Sequence, residues 1–427
     1  MAAAGPVTTG RRGGGASAGA QAGAGTAVAT PLLNRPAPLA TYLALVMGIG
    51  PLVHYAISAM GPLVVADLGL TATEFGLLWF VSFGAAGLCT ITGGKLTDRF
   101  GARILLCGVF VVAGVSLVTA GLAGAYGWLV LALALSGVAQ SVSNPATNSV
   151  VAGAVPAHRR GVVLGIKQSG VQASQFAAGL ALPSAALLLG WRAAVLACAA
   201  VAVVGLLVTV VGLPREPGAG RRDRGVRSSV PIEVRWMTLY AFGMGVVTQA
   251  TNVYLPLYGH QELGLSITQA GLVAAVLGGV GVVARLCWGR LSDRFTDVRL
   301  PLLVLALLAA AAMSAVLLAA RAGQWLLWTG AGLFSISALA ANVIIMVAIV
   351  RFVRREEVGH ATGWVSLGLY AGFTVGPLGF GLLVDAAGFM AAWSATAVIG
   401  LLLAVLMAAL RTLRRRRPDD APAPRPG

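Results

Sequence analysis

Gly94-Lys95-Leu96-Thr97-Asp98-Arg99-Phe100 occurs almost unchanged 195 positions later as Gly289-Arg290-Leu291-Ser292-Asp293-Arg294-Phe295. Five of the seven residues are identical, and the other two keep a positive charge or a hydroxyl group. A second repeat lies downstream, where Gly161, Gly165 and Gly170 correspond to Gly359, Gly363 and Gly368 at a spacing of 198. Nearly equal spacings at two places predict a chain of two halves with the same layout.

Long apolar runs surround both copies of the segment. The chain of 427 residues is 58% hydrophobic and 10% charged, whereas soluble domains carry about 25% charged residues. A helix needs roughly 20 apolar residues to cross a bilayer. We count twelve such runs, at 39–62, 73–93, 102–123, 126–152, 162–189, 192–213, 236–258, 267–288, 300–320, 324–350, 361–384 and 389–410.

These runs predict an all-α membrane protein with twelve transmembrane helices in two pseudo-symmetric six-helix bundles. We place the first bundle at 38–213 and the second at 232–411. A linker at 214–231, rich in Arg, Gly and Pro, joins them on the cytoplasmic side. The Gly- and Ala-rich segment 1–37 is expected to be a disordered cytoplasmic tail, and 412–427 a basic cytoplasmic tail.

Positive charge collects on one side of the predicted membrane. Of the 30 basic residues, 26 fall in the tails and the even-numbered loops, whereas Arg192 and Arg321 fall on the other side. Cytoplasmic loops are enriched in Lys and Arg. We therefore expect a multi-pass protein of the cell inner membrane with both termini in the cytoplasm. The same distribution explains the net charge of +16 without a nucleic-acid partner.

The repeated segment resembles the signature loop of the major facilitator superfamily. In that family the loop joins helices two and three, and a weaker copy joins helices eight and nine; both places match here. The resemblance covers residues 38–411. It implies a transporter without a cofactor, in which two six-helix bundles rock around a central substrate site.

The loop residues also have a physical role that does not depend on the resemblance. Glycine allows another helix to approach closely because it has no Cβ. A carboxylate beside arginines at a helix end can form charge-assisted hydrogen bonds, which hold one conformation and break in the other. The alternative is a charge cluster that only sets topology. The predicted gating residues are Gly94, Asp98, Arg99, Arg103, Gly289, Asp293 and Arg294.

Polar residues form rows on three of the predicted helices. Gln140, Asn144 and Asn148, for example, recur at every fourth position and share one helix face. Polar groups within a membrane are costly unless they face protein or a water-filled cavity, although they also serve helix packing. We predict a polar central cavity. Its candidate lining residues are Gln140, Asn144, Asn148, Gln172, Gln249, Asn252 and Tyr370.

Two cations, Lys167 and Arg285, lie inside apolar runs. The resemblance places their helices, five and eight, next to each other beside the cavity. We find no carboxylate at that depth of the sequence, and desolvated cations without a counterion are costly. We therefore predict that both bind an anionic substrate, since arginine suits a carboxylate. Alternatively, Lys167 reaches the cytoplasmic surface and Arg285 pairs with helix-end carbonyls or Asp293.

A shorter resemblance concerns the residues around Arg285. Val283-Ala284-Arg285-Leu286 resembles the eighth helix of the monocarboxylate porter and oxalate–formate exchanger branches, where the matching arginine binds substrate carboxylate. The exchangers add a lysine on helix eleven, which residues 364–374 lack, and monocarboxylate porters use a lysine on helix one, where this chain has His54. The resemblance favours a small organic anion, a carboxylate, without fixing which one.

The sequence also bears on functions other than anion transport. A drug or metabolite exporter is the main alternative, but its helix-four arginine corresponds to Gly137 and its helix-five Gly-Pro pair to Leu182-Pro183. A membrane receptor or scaffold would not need a gating loop in both halves. An enzyme is not expected, because the sequence has no nucleophile–base pair, metal cluster or phosphate loop.

His54 is a candidate for proton coupling, because imidazole titrates near neutral pH. The alternative is a hydrogen-bonded histidine that lines the pore. We expect a monomer in the lipid bilayer that uses a coupling proton or a counter-substrate. The sequence does not distinguish these, nor import from export.

Overall fold

The computed structural model of the chain describes residues 36–213, 232–291, 294–295, 297–353 and 357–416, without the side chains of 91–95, 97, 98 and a few other helical positions. This part of the chain is folded into helices joined by short turns. The helices are α1 (Pro36–Ala59), α2 (Gly61–Leu68), α3 (Ala72–Phe100), α4 (Ala102–Gly121), α5 (Tyr126–Ala154), α6 (Arg160–Leu189), α7 (Trp191–Ala197), α8 (Ala199–Gly212), α9 (Ile232–Gln261), α10 (Ile267–Leu291), α11 (Arg299–Ala322), α12 (Trp325–Phe352) and α13 (Val358–Arg416).

The predicted all-α membrane architecture is confirmed, because all twelve apolar runs lie in helices. The sixth run comprises α7 and α8. The last two lie in α13 on either side of Gly388, whose φ of 79° interrupts the helix. Ten helical segments of the described residues are long and apolar enough to cross a membrane, with α13 counted once. Helix α9 is not among them, since it carries a polar row that includes Gln249 and Asn252.

The internal repeat extends beyond the seven-residue segment. Helix α3 begins with a capping box, in which Thr71 N donates to Glu74 Oε2 (2.9 Å) and Glu74 N donates to Thr71 Oγ1 (3.1 Å). Helix α10 begins in the same way 195 residues later, with Ser266 N bonded to Gln269 Oε1 (2.9 Å) and Gln269 N to Ser266 Oγ (3.2 Å). Such reciprocal bonds satisfy N–H groups that have no partner within the helix. Equivalent helices of the two halves therefore begin at equivalent residues.

The molecule has two ends that the helix directions define. We name the end that carries Phe100 and Phe295 the motif face, because the repeated segment lies there. The end at which α3 and α10 begin is the distal face. Helices α3, α5, α10 and α12 run toward the motif face, and α6 runs away from it.

The two halves of the chain pack tightly toward the distal face, where α3 contacts α13 and α6 contacts α10. Gly76 of α3 lies so close to the Pro377 carbonyl that no Cβ would fit between them. Gly179 of α6 lies equally close to the backbone of Ala275 on α10. Small residues permit this close approach of membrane helices.

The same helix faces separate toward the motif face. Gly87 lies on the same face of α3 as Gly76, about 16 Å further along, and a Cβ there would meet no atom within 4 Å. Gly165, on the same face of α6 as Gly179, is equally open, and so is Gly363 near the start of α13. Within the described ranges, the interface between the halves is closed at the distal face and open at the motif face.

Some predicted segments lie outside the described residues, namely 1–35 of the first tail, the linker 214–231 and residues 417–427. At the other end of the second half, α13 continues to Arg416, beyond the predicted end of the bundle at 411.

Candidate functional site

Arg285 of α10 is half-buried next to α12. Its Nε donates a hydrogen bond to the Leu339 carbonyl at 3.0 Å. Within the described residues, neither Nη group has a hydrogen-bond partner. Tyr55, the one residue between 51 and 59 of α1 that is not buried, lies within electrostatic range of the guanidinium. Arg285 thus has both Nη groups left to bind a carboxylate in the usual paired geometry.

Lys167 of α6 is buried inside the first half, with 1% of its surface exposed. Its Nζ donates to Thr147 Oγ1 (2.9 Å), Asn144 Oδ1 (3.1 Å) and Asn148 Oδ1 (2.6 Å). These bonds occupy all three ammonium hydrogens. An anion could bind Lys167 directly only if one of them broke. The lysine also turns both asparagine amides so that their NH₂ groups point away from it.

His54 of α1 is buried in a separate polar cluster of the first half. Its Nε2 lies 2.7 Å from Ser82 Oγ and its Nδ1 lies 3.0 Å from Ser136 Oγ. Ser136 donates its own hydrogen to the Gly50 carbonyl (2.6 Å), so Nδ1 carries the proton that Ser136 accepts. Gln140 Nε2 is 3.4 Å from Nδ1, at the edge of this cluster. Both ring nitrogens therefore have neutral partners.

Polar residues of the two halves meet along α6. Gln175 Nε2 donates to Asn252 Oδ1 of α9 at 3.1 Å. Gln172 packs its side chain against Gly281 of α10, and the side chain of Leu339 packs against the same glycine. Arg285 follows Gly281 by one helical turn on α10. Gln172 and Arg285 therefore lie one helical turn apart along the interface between α6 and α10.

The remaining predicted lining residues lie elsewhere along the interface. The ring of Tyr370 on α13 is 6.3 Å from that of Phe83 on α3, so it contacts the first half through an aromatic pair. Gln249 of α9 is buried. Tyr55 and Thr147 were not predicted as site residues, because a single tyrosine or threonine within an apolar run forms no pattern of its own.

The described carboxylates all lie at helix ends, and none forms an ion pair with Lys167 or Arg285. Two buried or half-buried cations of the membrane-spanning interior are therefore balanced by neutral groups alone in the part of the chain that is described. Asp293, in the loop after α10, is outside that part. The described residues also contain no group of three or more His, Cys, Asp or Glu that could hold a metal ion. The carboxylates concerned are Asp67, Glu74, Glu233, Glu262, Asp297, Glu357 and Asp385.

A contact between the halves at the distal face was not predicted. Asp385 of α13 accepts hydrogen bonds from Ala72 N at Oδ1 (3.0 Å) and from Thr73 N at Oδ2 (2.8 Å). The second half thus caps the first turn of α3, where the helix dipole favours a carboxylate. Tyr254 of α9 adds a bond from its hydroxyl to the Ala72 carbonyl (2.6 Å). These bonds can exist only while the distal face is closed.

The predicted gating residues are partly described. Arg103 donates to the Val210 carbonyl of α8, and the Arg99 guanidinium lies 5.2 Å from the centre of the Phe100 ring. Gly289 lies near Val343 of α12, and Arg294 follows α10 at the motif face. The side-chain surroundings of Gly94 and Asp98, and the whole of Asp293, are outside the described residues. The gating role remains a prediction.

Comparison with known proteins agrees with this architecture. The family model for the Major Facilitator Superfamily matches residues 39–339 and 297–427. A crystal structure of a bacterial homologue of the human lysosomal transporter Spinster, in an inward-facing and unoccupied conformation, has a TM-score of 0.73 at 17% identity and covers 90% of this chain and 99% of that chain. The nucleoside transporter NupG has a TM-score of 0.71 at 12% identity, over 87% and 99% of the two chains. These structures are similar in fold.

Curated relatives are similar in sequence over part of their length. A probable sulfoacetate transporter of Cupriavidus necator is 25% identical over 264 residues, which is 56% of this chain and 60% of the relative. A probable nitrate/nitrite transporter of Mycobacterium tuberculosis is 29% identical over 269 residues (60% and 67%). A hexuronate transporter of Bacillus subtilis is 24% identical over 276 residues (60% and 64%). The chain thus spans about two thirds or less of the length of these relatives.

Proposed function

Since the chain belongs to the Major Facilitator Superfamily of transporters, we propose that it is a secondary active transporter of a small organic anion that carries a carboxylate. It works by alternating access, in which the two halves rock about a central site. Arg285 binds the carboxylate, and Lys167 contributes positive charge and orients the amides of Asn144 and Asn148.

One observation carries this proposal. Lys167 and Arg285 lie within membrane-spanning helices, and no carboxylate of the described residues pairs with either. A charge held away from water is costly unless an opposite charge or several hydrogen bonds compensate it. Both Nη groups of Arg285 are unused, so an anion from solution is the partner that best completes its hydrogen bonding.

The relatives give independent support. The three relatives described above are named for sulfoacetate, nitrate or nitrite, and hexuronate. All of these substrates are small anions. A cationic substrate would instead meet two positive charges without a carboxylate among the described residues to balance it.

The distribution of charge supports one orientation in the inner membrane. Basic residues concentrate at the motif face and in the tails, and cytoplasmic segments are enriched in Lys and Arg. The motif face and both termini therefore lie in the cytoplasm. The gap between the halves at the motif face is then a cavity open to the cytoplasm, and the conformation described is inward-facing.

Alternating access requires the distal contacts to break as the motif face closes. The hydrogen bonds that join Asp385 and Tyr254 to the first turn of α3 are among the contacts between the halves at the closed distal face. The open glycine faces on α3, α6 and α13 are the surfaces that meet when the motif face closes. A substrate that entered the site from one side of the membrane would then leave it to the other side.

A thermal-stability screen of the purified protein tests the substrate class. A ligand at 100 times its Kd stabilises the native state by about 2.7 kcal/mol, so carboxylates are expected to raise the melting temperature, whereas neutral sugars and cationic drugs are not. Arg285→Ala should weaken carboxylate binding by at least about 2 kcal/mol, roughly thirtyfold in Kd. Arg321→Ala, which removes the same charge at the exposed distal end of α11, is the matched control.

The screen also separates the alternatives. Stabilisation by cationic drugs with no response to any carboxylate would contradict the proposal and favour the exporter. Equal stabilisation of wild type and Arg285→Ala by carboxylates would remove Arg285 from the site. We expect carboxylates to stabilise wild type and Arg321→Ala equally, and to stabilise Arg285→Ala less.

A further inference from the structure

Three glutamines on one face of α6 have side-chain oxygens without a partner. Oε1 of Gln168, Gln172 and Gln175 is buried and accepts no hydrogen bond. This face is turned toward the second half, since Gln172 packs against Gly281 and Gln175 bonds to Asn252. Only 2% of Gln172 and 1% of Gln175 is exposed. These oxygens therefore lie at the interface that also contains Arg285.

A fourth acceptor without a partner lies on α12. Asn342 Oδ1 is buried, one helical turn beyond Leu339, whose carbonyl binds Arg285. Helices α6 and α12, which both pack against α10, thus carry unused amide acceptors, and Arg285 of α10 has two unused Nη groups. A carboxylate would bind the donors of Arg285, but it has no hydrogen to donate to the amide oxygens.

Buried amide oxygens without a donor are uncommon and costly in native proteins. An anion with no hydrogen to donate, such as nitrate or an unsubstituted carboxylate, binds the arginine and leaves these oxygens unpaired. A ligand that brings its own donors satisfies both kinds of group.

We propose that the substrate is a hydroxylated carboxylate, whose carboxylate binds Arg285 and whose hydroxyl groups donate to the oxygen of Gln172. This inference rests on the proposed anion-transport function and narrows its substrate class. An ammonium group is a poorer donor here, because it would add a third positive charge to a region in which the described residues supply no carboxylate. Gln172 is then a specificity-determining residue, and Gln168, Gln175 and Asn342 are further acceptors for larger sugar acids.

The test uses three carboxylates of equal charge and chain length. Propionate, lactate and glycerate carry no, one and two hydroxyl groups, and their Kd values for the full-length protein are measured by isothermal titration calorimetry. Each buried hydrogen bond made is expected to tighten binding about tenfold, so the order of affinity is glycerate, lactate, propionate. Equal affinities for the three would overturn the inference.

A variant assigns the preference to one residue. Gln172→Met keeps the length of the side chain and removes the amide, so the preference for glycerate over propionate should fall to about threefold or less. Gln261→Met, at the exposed end of α9, is the control and should keep the full preference. An unchanged preference in Gln172→Met would overturn the role of Gln172.

Failure of this inference is distinguishable from failure of the proposed function. If the three anions bind alike and Arg285→Ala weakens all of them, the carboxylate site stands and the hydroxyl preference is wrong. If none of the three binds to wild type, the anion function fails and the inference fails with it. The wild-type series decides both points even if Gln172→Met does not fold.

Discussion

Replacement of Asp385 by asparagine is expected to open the distal face. The carboxylate accepts one hydrogen bond from Ala72 N (3.0 Å) and one from Thr73 N (2.8 Å), across the boundary between the halves. Asparagine keeps one acceptor oxygen but loses the charge and the second acceptor. Because the two bonds exist only in the closed arrangement, their loss destabilises that arrangement relative to the one open at the distal face.

The size of the effect follows from the kind of bond that is lost. A hydrogen bond to a charged group contributes about 1.5–3 kcal/mol, and a charge at a helix N terminus about 0.3–1 kcal/mol. Asp385 is exposed, so solvent screening lowers both values. We expect a net loss of about 1–2 kcal/mol, which changes the ratio of the two conformations roughly five- to thirtyfold.

Distances between spin labels measure this shift. In a variant in which the four native cysteines are replaced, one label pair at positions 125 and 261 spans the distal face. A second pair at 154 and 360 spans the motif face. All four positions are exposed in the described structure. Asp385→Asn should move the distance distribution of the distal pair to longer values and that of the motif pair to shorter values.

Asp67→Asn is the matched control for this experiment. Asp67 is also a distal-face carboxylate, but its ion pair with Arg192 (2.7 Å) lies within the first half. The same change of charge should therefore leave both distance distributions where they are in wild type. Unchanged distances in Asp385→Asn, or an equal shift in Asp67→Asn, would refute the idea that Asp385 holds the distal face closed.

Gly179→Leu should force α6 away from α10 and open the distal face. Gly165→Leu, on the same face of α6 but in open space, should hinder closure of the motif face. Spin-label distances that shift in the same direction in both variants would contradict the packing argument. Lys167→Met should lower carboxylate affinity about tenfold through lost charge. It should also lower the melting temperature, because Asn144, Asn148 and Thr147 lose the donor that their oxygens share. Wild-type affinity of the folded variant in calorimetry would exclude an electrostatic role. Asp98→Asn should slow turnover more than it weakens binding, because the loop stabilises one conformation. An unchanged transport rate would mean that the loop only sets the membrane topology.

The sequence was sufficient to predict the helices. Their apolar runs are long, and each was found in a helix, because backbone groups inside a bilayer must be satisfied within their own segment. The breaks were harder to predict. Gly388, with φ of 79°, separates the last two runs as expected. The interruption between α7 and α8 at Cys198 could not be predicted, because no glycine or proline lies at it.

The candidate site was only partly predictable, because helix periodicity identifies a face without identifying its neighbour. The row of Gln140, Asn144 and Asn148 was recognised, yet Asn144 and Asn148 turn their oxygens to Lys167 within the first half. Lys167 was expected to face a substrate and has three neutral partners instead. The contact of Asp385 with α3 joins residues more than 300 positions apart, so no local pattern could indicate it.

Counterflow of labelled glycerate in proteoliposomes tests the central claim, that Arg285 binds a carboxylate which the protein carries across the membrane. Vesicles preloaded with unlabelled glycerate and containing wild type or Arg321→Ala are expected to accumulate label, and vesicles containing Arg285→Ala are expected to lose at least about nine tenths of that rate, as a roughly thirtyfold weaker Kd implies. Equal accumulation by Arg285→Ala and wild type, with both proteins folded, would show that Arg285 does not bind the transported carboxylate.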